Sequence, residues 1–159
     1  PTFNARSEGI TQKASWKGPV KSSRCLIPAS GYYEWTGTKA PKTPHWIHPV
    51  HETPLMFAGL YSWWPDPTKD EDDESRWHLT TTILTMASVP ELAKIHDRNP
   101  VALPESHWWS WIDPNELGDQ ALVDDACAAS RTVMSELREH VVAPLPARGE
   151  VGAEALLPA

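Results

Sequence analysis

Residues 77–86 read WHLTTTILTM, and this run decides the class of fold that the sequence predicts. Bulky and β-branched side chains fall at alternate positions, which are Trp77, Leu79, Thr81, Ile83 and Thr85. In an extended chain these side chains share one face, and β-branched residues pack well on a pleated surface. The run therefore predicts a strand over residues 77–86, with one face toward a core.

Four further runs carry strand signals and are bounded by turn residues. They cover residues 24–28, 31–36, 45–49 and 55–63. Residues 36–44 read TGTKAPKTP and lie between the second and third of these runs, which predicts a hairpin with a long loop. Alternation places Glu34 on the face opposite Tyr33 and Trp35. Burial of a charged side chain in such an aromatic run costs free energy, so it is expected to form an ion pair or to have a function.

The helices that the sequence predicts are few and short. A capping box at residues 88–91 (SVPE) opens a helix that ends near His96. A second helix begins near Pro104, and a third covers roughly residues 119–129. Because strands outnumber helices, we predict an α+β domain with a mostly antiparallel sheet that is curled and barrel-like.

Length and composition predict one domain over residues 1–159. The chain is 40% hydrophobic and 22% charged, which is typical of a globular protein. No apolar run approaches the about 18 residues that cross a bilayer, so no membrane association is expected. Two distant cysteines argue against a disulfide framework or a zinc ribbon and fit a reducing cytoplasm. We expect a cytoplasmic protein, nucleoid-associated if bacterial, that is a monomer. Residues 65–75 (PDPTKDEDDES) are predicted to be a mobile acidic loop insertion.

Charge is unevenly distributed along the chain. The net charge is −7, yet residues 1–44 carry seven basic and only two acidic side chains. The basic residues of this segment are Arg6, Lys13, Lys17, Lys21, Arg24, Lys39 and Lys42. A basic third on an acidic body is compatible with one face that binds a polyanion. Chance segregation of the charges is the alternative.

Tryptophan is abundant, with nine residues in the chain. Packing in the core and between elements is the first interpretation for each of them. One or two could instead form a platform on which nucleic-acid bases stack.

Polar groups suited to acid/base and phosphate chemistry occur in three separate segments. Glu34 and His96 can exchange protons near neutral pH when their surroundings favour it. Asn4 can hold a carbonyl or hydroxyl oxygen, and Arg6 and Arg98 can bind phosphates through forked donors. The alternatives are structural. His96 could interact with the dipole of a helix C-terminus, and Glu34 could form a salt bridge at a sheet edge.

Five blocks of the sequence, in this order, resemble the signatures of the SOS-response-associated peptidase (SRAP) family. They are NARSE at 4–8, RCLIPASGYYEW at 24–35, LMFAGLY at 55–61, TILTMAS at 82–88 and IHDRNP at 95–100. The resemblance runs from Phe3 to about Pro104. The family motif usually has Met where this chain has Asn99.

The resemblance implies an abasic-site processing protein with a groove for single-stranded DNA. In the family, the α-amine and thiol of an N-terminal cysteine condense with the aldehyde of the abasic sugar to a thiazolidine. This product is a stable DNA–protein crosslink. An α-amine has a pKa near 8, so part of it is neutral and nucleophilic at pH 7. Abasic-site lyase and peptidase-type activities are associated with the same constellation, as is a link to the SOS response to DNA damage.

The resemblance also implies roles for particular residues. Asn4 would hold the sugar or the terminal amine, Glu34 would assist proton transfer in ring opening, and His96 would be the second acid/base group. Arg6 and Arg98 would contact phosphates. Thr85 is a further candidate beside the pocket. No metal and no cofactor is implied.

One departure from the family is large. The sequence begins at Pro1, almost on the NARSE block, so we expect that it lacks the family's N-terminal segment with the catalytic cysteine. A truncated gene model or fragment, or a short paralogue, would account for this. Cys25 and Cys127 have no free α-amine and cannot substitute. We therefore expect no thiazolidine crosslink and only marginal stability from the chain as given.

Two other classes of function stay open. One alternative is a metal-dependent hydrolase, in which the imidazoles of His45, His48 and His51, spaced three residues apart, would bind the metal. Residues i and i+3 of a strand, however, point in opposite directions. The non-enzymatic alternative is a module that binds single-stranded DNA without chemistry, for which we expect salt-dependent binding.

Overall fold

The strand over residues 77–86 is the central strand of the larger of two sheets. The computed structural model describes residues 3–51, 53–146 and 151–159. This first sheet contains β1 (Asn4–Arg6), β2 (Arg24–Ala29), β5 (Leu55–Pro65), β6 (Trp77–Ala87) and β7 (Arg98–Pro100). The order is β1-β6-β5-β2, and β7 also pairs with β6. All pairs are antiparallel except β1 with β6, which is parallel.

The second sheet has three antiparallel strands and contains the predicted hairpin. Its strands are β3 (Tyr32–Thr36), β4 (Thr43–His48) and β8 (Arg138–Val141), in the order β3-β4-β8. The hairpin closes at the Thr36 and Thr43 pair, so residues 37–42 form its loop. The α+β class and the mostly antiparallel pairing are confirmed. The strands form two sheets that do not close into a barrel.

Three α-helices accompany the sheets. They are α1 (Ala14–Ser22), α2 (Glu105–Ile112) and α3 (Gln120–Ser135). The predictions of α2 and α3 are confirmed, although α3 is longer than expected. Its N-cap is Asp119, whose carboxylate accepts from the Leu122 N–H at 2.9 Å. Helix α1 was not predicted, and it contains Pro19.

The helix predicted between Ser88 and His96 is wrong, because this segment forms consecutive turns. Its ends are fixed by the pairing of Ala87 with Arg98, which continues the β6–β7 ladder. The Ser88 N–H donates to the Asp97 carbonyl at 2.9 Å and closes the loop. A chain that must return to its start within ten residues cannot extend as a helix. We call residues 88–97 the His96 loop.

Arg24 is buried and holds several elements together. It uses all five of its guanidinium donors on backbone carbonyls. These belong to Val20, Lys21, Trp111, Asp113 and Glu116. Arg24 is therefore removed from the basic surface that the charge distribution suggested.

The core lies between the first sheet and the helices. Its largest fully buried side chains include Trp111, Leu60, Leu84 and Met134. The indole N–H of Trp111 donates to the Cys25 carbonyl at 3.0 Å, which fastens α2 to β2. No α-helix within the described ranges is long and apolar enough to cross a membrane.

Two segments predicted to be irregular have local partners. In the acidic loop, the Asp66 and Asp73 carboxylates accept hydrogen bonds from Thr68 and Ser75. That this loop is an insertion stays a prediction. Three prolines and two glycines predict that the tail over residues 144–159 is extended along the sheet or disordered. Residues 151–159 lie along the second sheet, where the Ala159 N–H donates to the Val141 carbonyl. Residues 147–150 of that tail lie outside the described residues.

Candidate functional site

A cavity of about 320 Å³ is lined by residues from both sheets and from the His96 loop. Its lining includes every site residue that the sequence predicted, namely Asn4, Arg6, Glu34, Thr85, His96 and Arg98. The other lining residues are Tyr32, Tyr33, Phe57, Ile83, Asn99 and Pro100. Predicted site residues from four separate sequence segments are thus brought to one place. We call it the polar cavity.

Strand β1 brings Asn4 and Arg6 to the polar cavity. Ala5 between them is buried in the core, so alternation turns both neighbours to the other face. Parallel pairing with β6 sets Arg6 beside Thr85. Within the described residues, the Asn4 amide makes no hydrogen bond and the Arg6 guanidinium makes no ion pair. Both groups are therefore available to a ligand.

Glu34 is half-buried on β3, with its carboxylate at the polar cavity. Its Oε1 accepts a hydrogen bond from the Trp35 N–H at 3.3 Å. Among the residues the structure describes, no lysine or arginine pairs with it, so the alternative of a salt bridge at the sheet edge is not seen. The carboxylate keeps most of its capacity to accept protons or hydrogen bonds.

His96 is oriented by its own loop. Its Nδ1 lies 3.1 Å from both the backbone nitrogen and the carbonyl oxygen of Arg98, and 3.2 Å from the Asp97 carboxylate. The Arg98 N–H donates to an unprotonated Nδ1, whereas the two oxygens accept from a protonated one, so these contacts orient the ring in either tautomer. The alternative role at a helix C-terminus is wrong, because no helix forms here.

Arg98 is mostly engaged within the protein. Its Nη1 and Nη2 donate to the two carboxylate oxygens of Glu8 at 3.1 and 2.9 Å. Its Nε and Nη2 also donate to the hydroxyl and the carbonyl of Thr85, at 3.2 and 2.7 Å. Four of its five donors are used, so one remains for a ligand. Burial works to raise the pKa of Glu8, but the hydrogen bond and charge of Arg98 outweigh it and lower that pKa.

Tyr32 is a lining residue that the sequence reasoning missed. Its hydroxyl is buried and has no hydrogen-bond partner among the described residues. Burial, with a smaller contribution from the charge of Glu34, raises the pKa of Tyr32 well above its ordinary value. The signal was present in the sequence, since Tyr32 lies two residues before Glu34 and shares its face.

Asn99, which replaces the usual Met of the family motif, has a structural role. It is buried, and its side-chain oxygen accepts from the Val89 N–H at 2.9 Å. Its amide nitrogen donates to the Pro100 carbonyl at 3.0 Å. This pair of bonds holds the start of the His96 loop against β7.

Neither cysteine lies at the polar cavity. Cys25 and Cys127 are both partly buried, and burial raises the pKa of each thiol. At neutral pH both are protonated and poorly nucleophilic.

Two of the three histidines at spacing three have separate partners. His45 contacts Glu139, while His48 stacks on Trp46 with ring centroids 6.3 Å apart. In residues 3–51, 53–146 and 151–159, no group of three or more His, Cys, Asp or Glu side chains is arranged to hold a metal ion.

Comparison with known proteins relates the sequence to one family. The family model of the SOS response associated peptidase (SRAP) matches residues 1–144. The abasic site processing protein YoqW of Bacillus subtilis is 37% identical over 114 residues, which are 70% of this chain and 48% of that protein. The abasic site processing protein HMCES of Gallus gallus is 31% identical over 136 residues, 73% of this chain and 39% of its own length.

Solved structures show the same fold. A crystal structure of a Bacteroides thetaiotaomicron protein matches 99% of this chain and 66% of its own, with a TM-score of 0.75 and 24% identity. A phage-related protein from Bordetella bronchiseptica matches 99% of this chain and 70% of its own, with a TM-score of 0.63 and 30% identity. The chain thus spans about half the length, or less, of the curated relatives quoted above.

Proposed function

Because the chain belongs to the SOS-response-associated peptidase family, we propose that it acts on abasic sites in single-stranded DNA and binds the abasic sugar in the polar cavity. One observation carries the proposal. Six residues from four distant segments, which the sequence predicts by chemical type or by family resemblance, line one cavity of about 320 Å³. The names of the relatives, which refer to abasic-site processing, support the choice of substrate.

The acid/base pair fits the opening of an abasic sugar. The closed sugar opens when its hydroxyl loses a proton and its ring oxygen gains one. The Glu34 carboxylate is the base for the first transfer, and the protonated imidazole of His96 is the acid for the second. The Asn4 amide holds the oxygen on which charge develops.

The phosphates on either side of the sugar would bind to Arg6, with a smaller part for Arg98. Arg6 has no ion pair within the described residues, whereas Arg98 has one donor left and chiefly holds Thr85 and Glu8 in place. Lys13 donates to the Arg6 carbonyl at 3.2 Å. Lys17 and Lys21 follow it at helical spacing on α1 and extend the positive surface from Arg6.

The covalent step that the family resemblance implies needs a cysteine with a free α-amine. Cys25 and Cys127 do not line the polar cavity, so neither supports such a step. We propose that the described residues supply the binding, ring-opening and proton-transfer parts of the centre. The same pair of groups would serve lyase-type elimination or peptidase-type hydrolysis.

A binding measurement tests the proposal. Fluorescence anisotropy would compare single-stranded oligonucleotides that are intact or contain one tetrahydrofuran abasic analogue. We expect tighter binding to the abasic strand, and loss of this preference in Asn4→Ala. Asn115→Ala changes an exposed asparagine outside the cavity and is the control. Equal affinity for both strands would favour the module that binds single-stranded DNA without chemistry, and no binding to either would contradict both.

A further inference from the structure

A polar network lies behind Glu34, outside the polar cavity. His45 on β4 is the direct cross-strand partner of Glu34 on β3. Its Nδ1 lies 3.0 Å from Oε2 of Glu139 on β8, and its Nε2 lies 2.9 Å from the hydroxyl of Thr36 on β3. Both ring nitrogens are therefore used, and the imidazole joins all three strands of the second sheet.

Glu139 extends this network to the His96 loop. Its other carboxylate oxygen, Oε1, lies 2.7 Å from the ammonium of Lys94. Lys94 stands two residues before His96 in the same loop. The hydrogen bonds from Lys94 and His45 lower the pKa of Glu139 and outweigh the opposing effect of burial, so this carboxylate is ionised at neutral pH.

The network therefore connects the second sheet, which carries Glu34, with the His96 loop, which carries His96. Glu34 belongs to the second sheet, whereas His96 belongs to a loop of the first sheet. Among the described residues, Lys94 with Glu139 is the one ion pair that connects the His96 loop to the second sheet. Concerted proton transfer requires distances held to about 0.5 Å. A fixed link between the second sheet and the His96 loop therefore favours transfer between Glu34, His96 and a bound sugar.

We propose that Glu139, through Lys94 on one side and His45 on the other, is a positioning residue that sets the separation of Glu34 and His96. The effect on catalysis rests on the proposed function. The effect of Glu139 on the positions of Glu34 and His96 does not. The arrangement of Thr36, His45 and Glu139 also has the order of a nucleophile, base and orienting acid. Neither Thr36 nor His45 lines the polar cavity, so we assign positioning rather than a second catalytic centre.

The network is suited to substitution without loss of the fold. The side chain of Lys94 is 66% exposed, and exposed ion pairs contribute little to stability. Glu139→Gln keeps the shape and can still accept from His45, but it loses the charge that holds Lys94. Lys94→Met breaks the same link from the other end, and Lys94→Arg is the conservative replacement that should restore it.

The test uses the whole 159-residue chain and two readouts. The first is NMR of the His96 imidazole and the Glu34 side-chain carboxyl, which needs no DNA. We expect shifted signals for both groups in Glu139→Gln and Lys94→Met, and near wild-type signals in Lys94→Arg. Glu136→Gln makes the same charge change at an exposed residue near the end of α3 and should leave both signals in place.

The second readout is the rate at which an abasic oligonucleotide exposes its aldehyde to an oxyamine probe. At saturating DNA we expect a fall of about tenfold in Glu139→Gln and Lys94→Met, with the dissociation constant within about twofold of wild type. Unchanged His96 and Glu34 signals in Lys94→Met would overturn the inference, even if Glu139→Gln failed to fold. If wild type exposes no aldehyde, the proposed function fails while the NMR comparison still decides the positioning role.

Discussion

Arg98 donates two parallel hydrogen bonds to the carboxylate of Glu8, with Nη1–Oε1 at 3.1 Å and Nη2–Oε2 at 2.9 Å. The same guanidinium reaches the hydroxyl and carbonyl of Thr85 on β6. One side chain of β7 therefore fixes the segment after β1 and one wall of the polar cavity. Arg98, which the sequence predicts to be a phosphate ligand, therefore chiefly holds Glu8 and Thr85 in place.

The Glu8–Arg98 pair predicts a pH dependence of stability. Arg98 holds the pKa of Glu8 below its ordinary value of 4.5. A depressed carboxyl pKa stabilises the fold above the unfolded-state pKa, and this contribution is lost as the pH falls through the folded-state pKa. Glu8→Gln should therefore lower the free energy of unfolding at pH 7 by less than about 1 kcal/mol, because the Glu8 side chain is 57% exposed. The difference between wild type and variant in urea unfolding should shrink as the pH falls below 4.5, and Glu91→Gln at an exposed position of the His96 loop is the control.

Arg24 should be the most sensitive charged residue for stability. Removal of its side chain takes a donor from five backbone carbonyls, of which that of Lys21 still accepts from the Gly118 N–H. Because an unsatisfied buried acceptor costs about 1–3 kcal/mol, Arg24→Met should lower the free energy of unfolding by several kcal/mol. Arg24→Lys should recover little, since an ammonium has three donors without the planar fork. Thermal unfolding measures both, with Lys21→Met on the exposed side of α1 as the control. A midpoint for Arg24→Met equal to that of the control would show that the network is not needed.

Arg6 should account for part of the salt dependence of DNA binding. Each phosphate contact on a single strand contributes about 0.7 to the slope of log affinity against log salt concentration. Arg6→Ala should therefore weaken binding to intact and abasic strands alike and reduce this slope by about 0.7. Arg131→Ala removes the same charge from an exposed site on α3 and should leave the slope unchanged. An identical slope in wild type and Arg6→Ala would exclude the phosphate contact.

Glu34 and His96 should affect the rate of ring opening more than binding. A positioned acid or base contributes about 10²–10⁴-fold to proton transfer, so Glu34→Gln and His96→Asn should each slow aldehyde exposure by at least about 10²-fold. Because neither group is expected to bind phosphate, the affinity for abasic DNA should change only a few-fold. The oxyamine assay and anisotropy measure the two effects separately. Rates close to wild type in both variants would remove the acid/base assignment.

The two cysteines should be dispensable. Both thiols are protonated at neutral pH because burial raises the pKa of each, and neither lines the polar cavity. Cys25→Ser and Cys127→Ser should therefore leave binding to abasic strands unchanged. On a denaturing gel, the 159-residue chain should show no heat-stable adduct that depends on either residue. An adduct lost in one of these variants would show that the thiol reaches the sugar.

Local sequence pattern was enough to predict three of the strands that line the polar cavity. Alternation over residues 77–86 predicted β6, and the strand signals over residues 31–36 and 55–63 predicted β3 and β5. Strands β1 and β7 have three residues each, too few for a period to be read. Helix α1 was hidden because Gly18 and Pro19 are typical of a turn. The His96 loop was predicted as a helix because a capping box can be recognised from neighbouring residues. The pairing of β6 with β7, which bends the segment into a loop, cannot be recognised in that way.

The contacts that orient the site residues could not be predicted from the sequence. The polar cavity residues could be chosen by chemical type and by resemblance, but the partners of Arg98 and Arg24 come from distant segments. His45 and Glu139 are 94 positions apart and meet only because β4 pairs with β8. No period or motif in the sequence predicts such a pair. The link between the second sheet and the His96 loop depends on this pair and therefore could not be predicted either.

The most direct test of the central claim is to locate the abasic sugar on the protein. An isotope-labelled chain would be titrated with a short single strand that contains one tetrahydrofuran analogue, and amide and side-chain NMR signals would be followed. We predict that signals specific to the abasic strand, absent with the intact strand, will come from Asn4, Glu34 and His96. Abasic-specific changes confined to residues outside the polar cavity, or identical changes with both strands, would contradict the account.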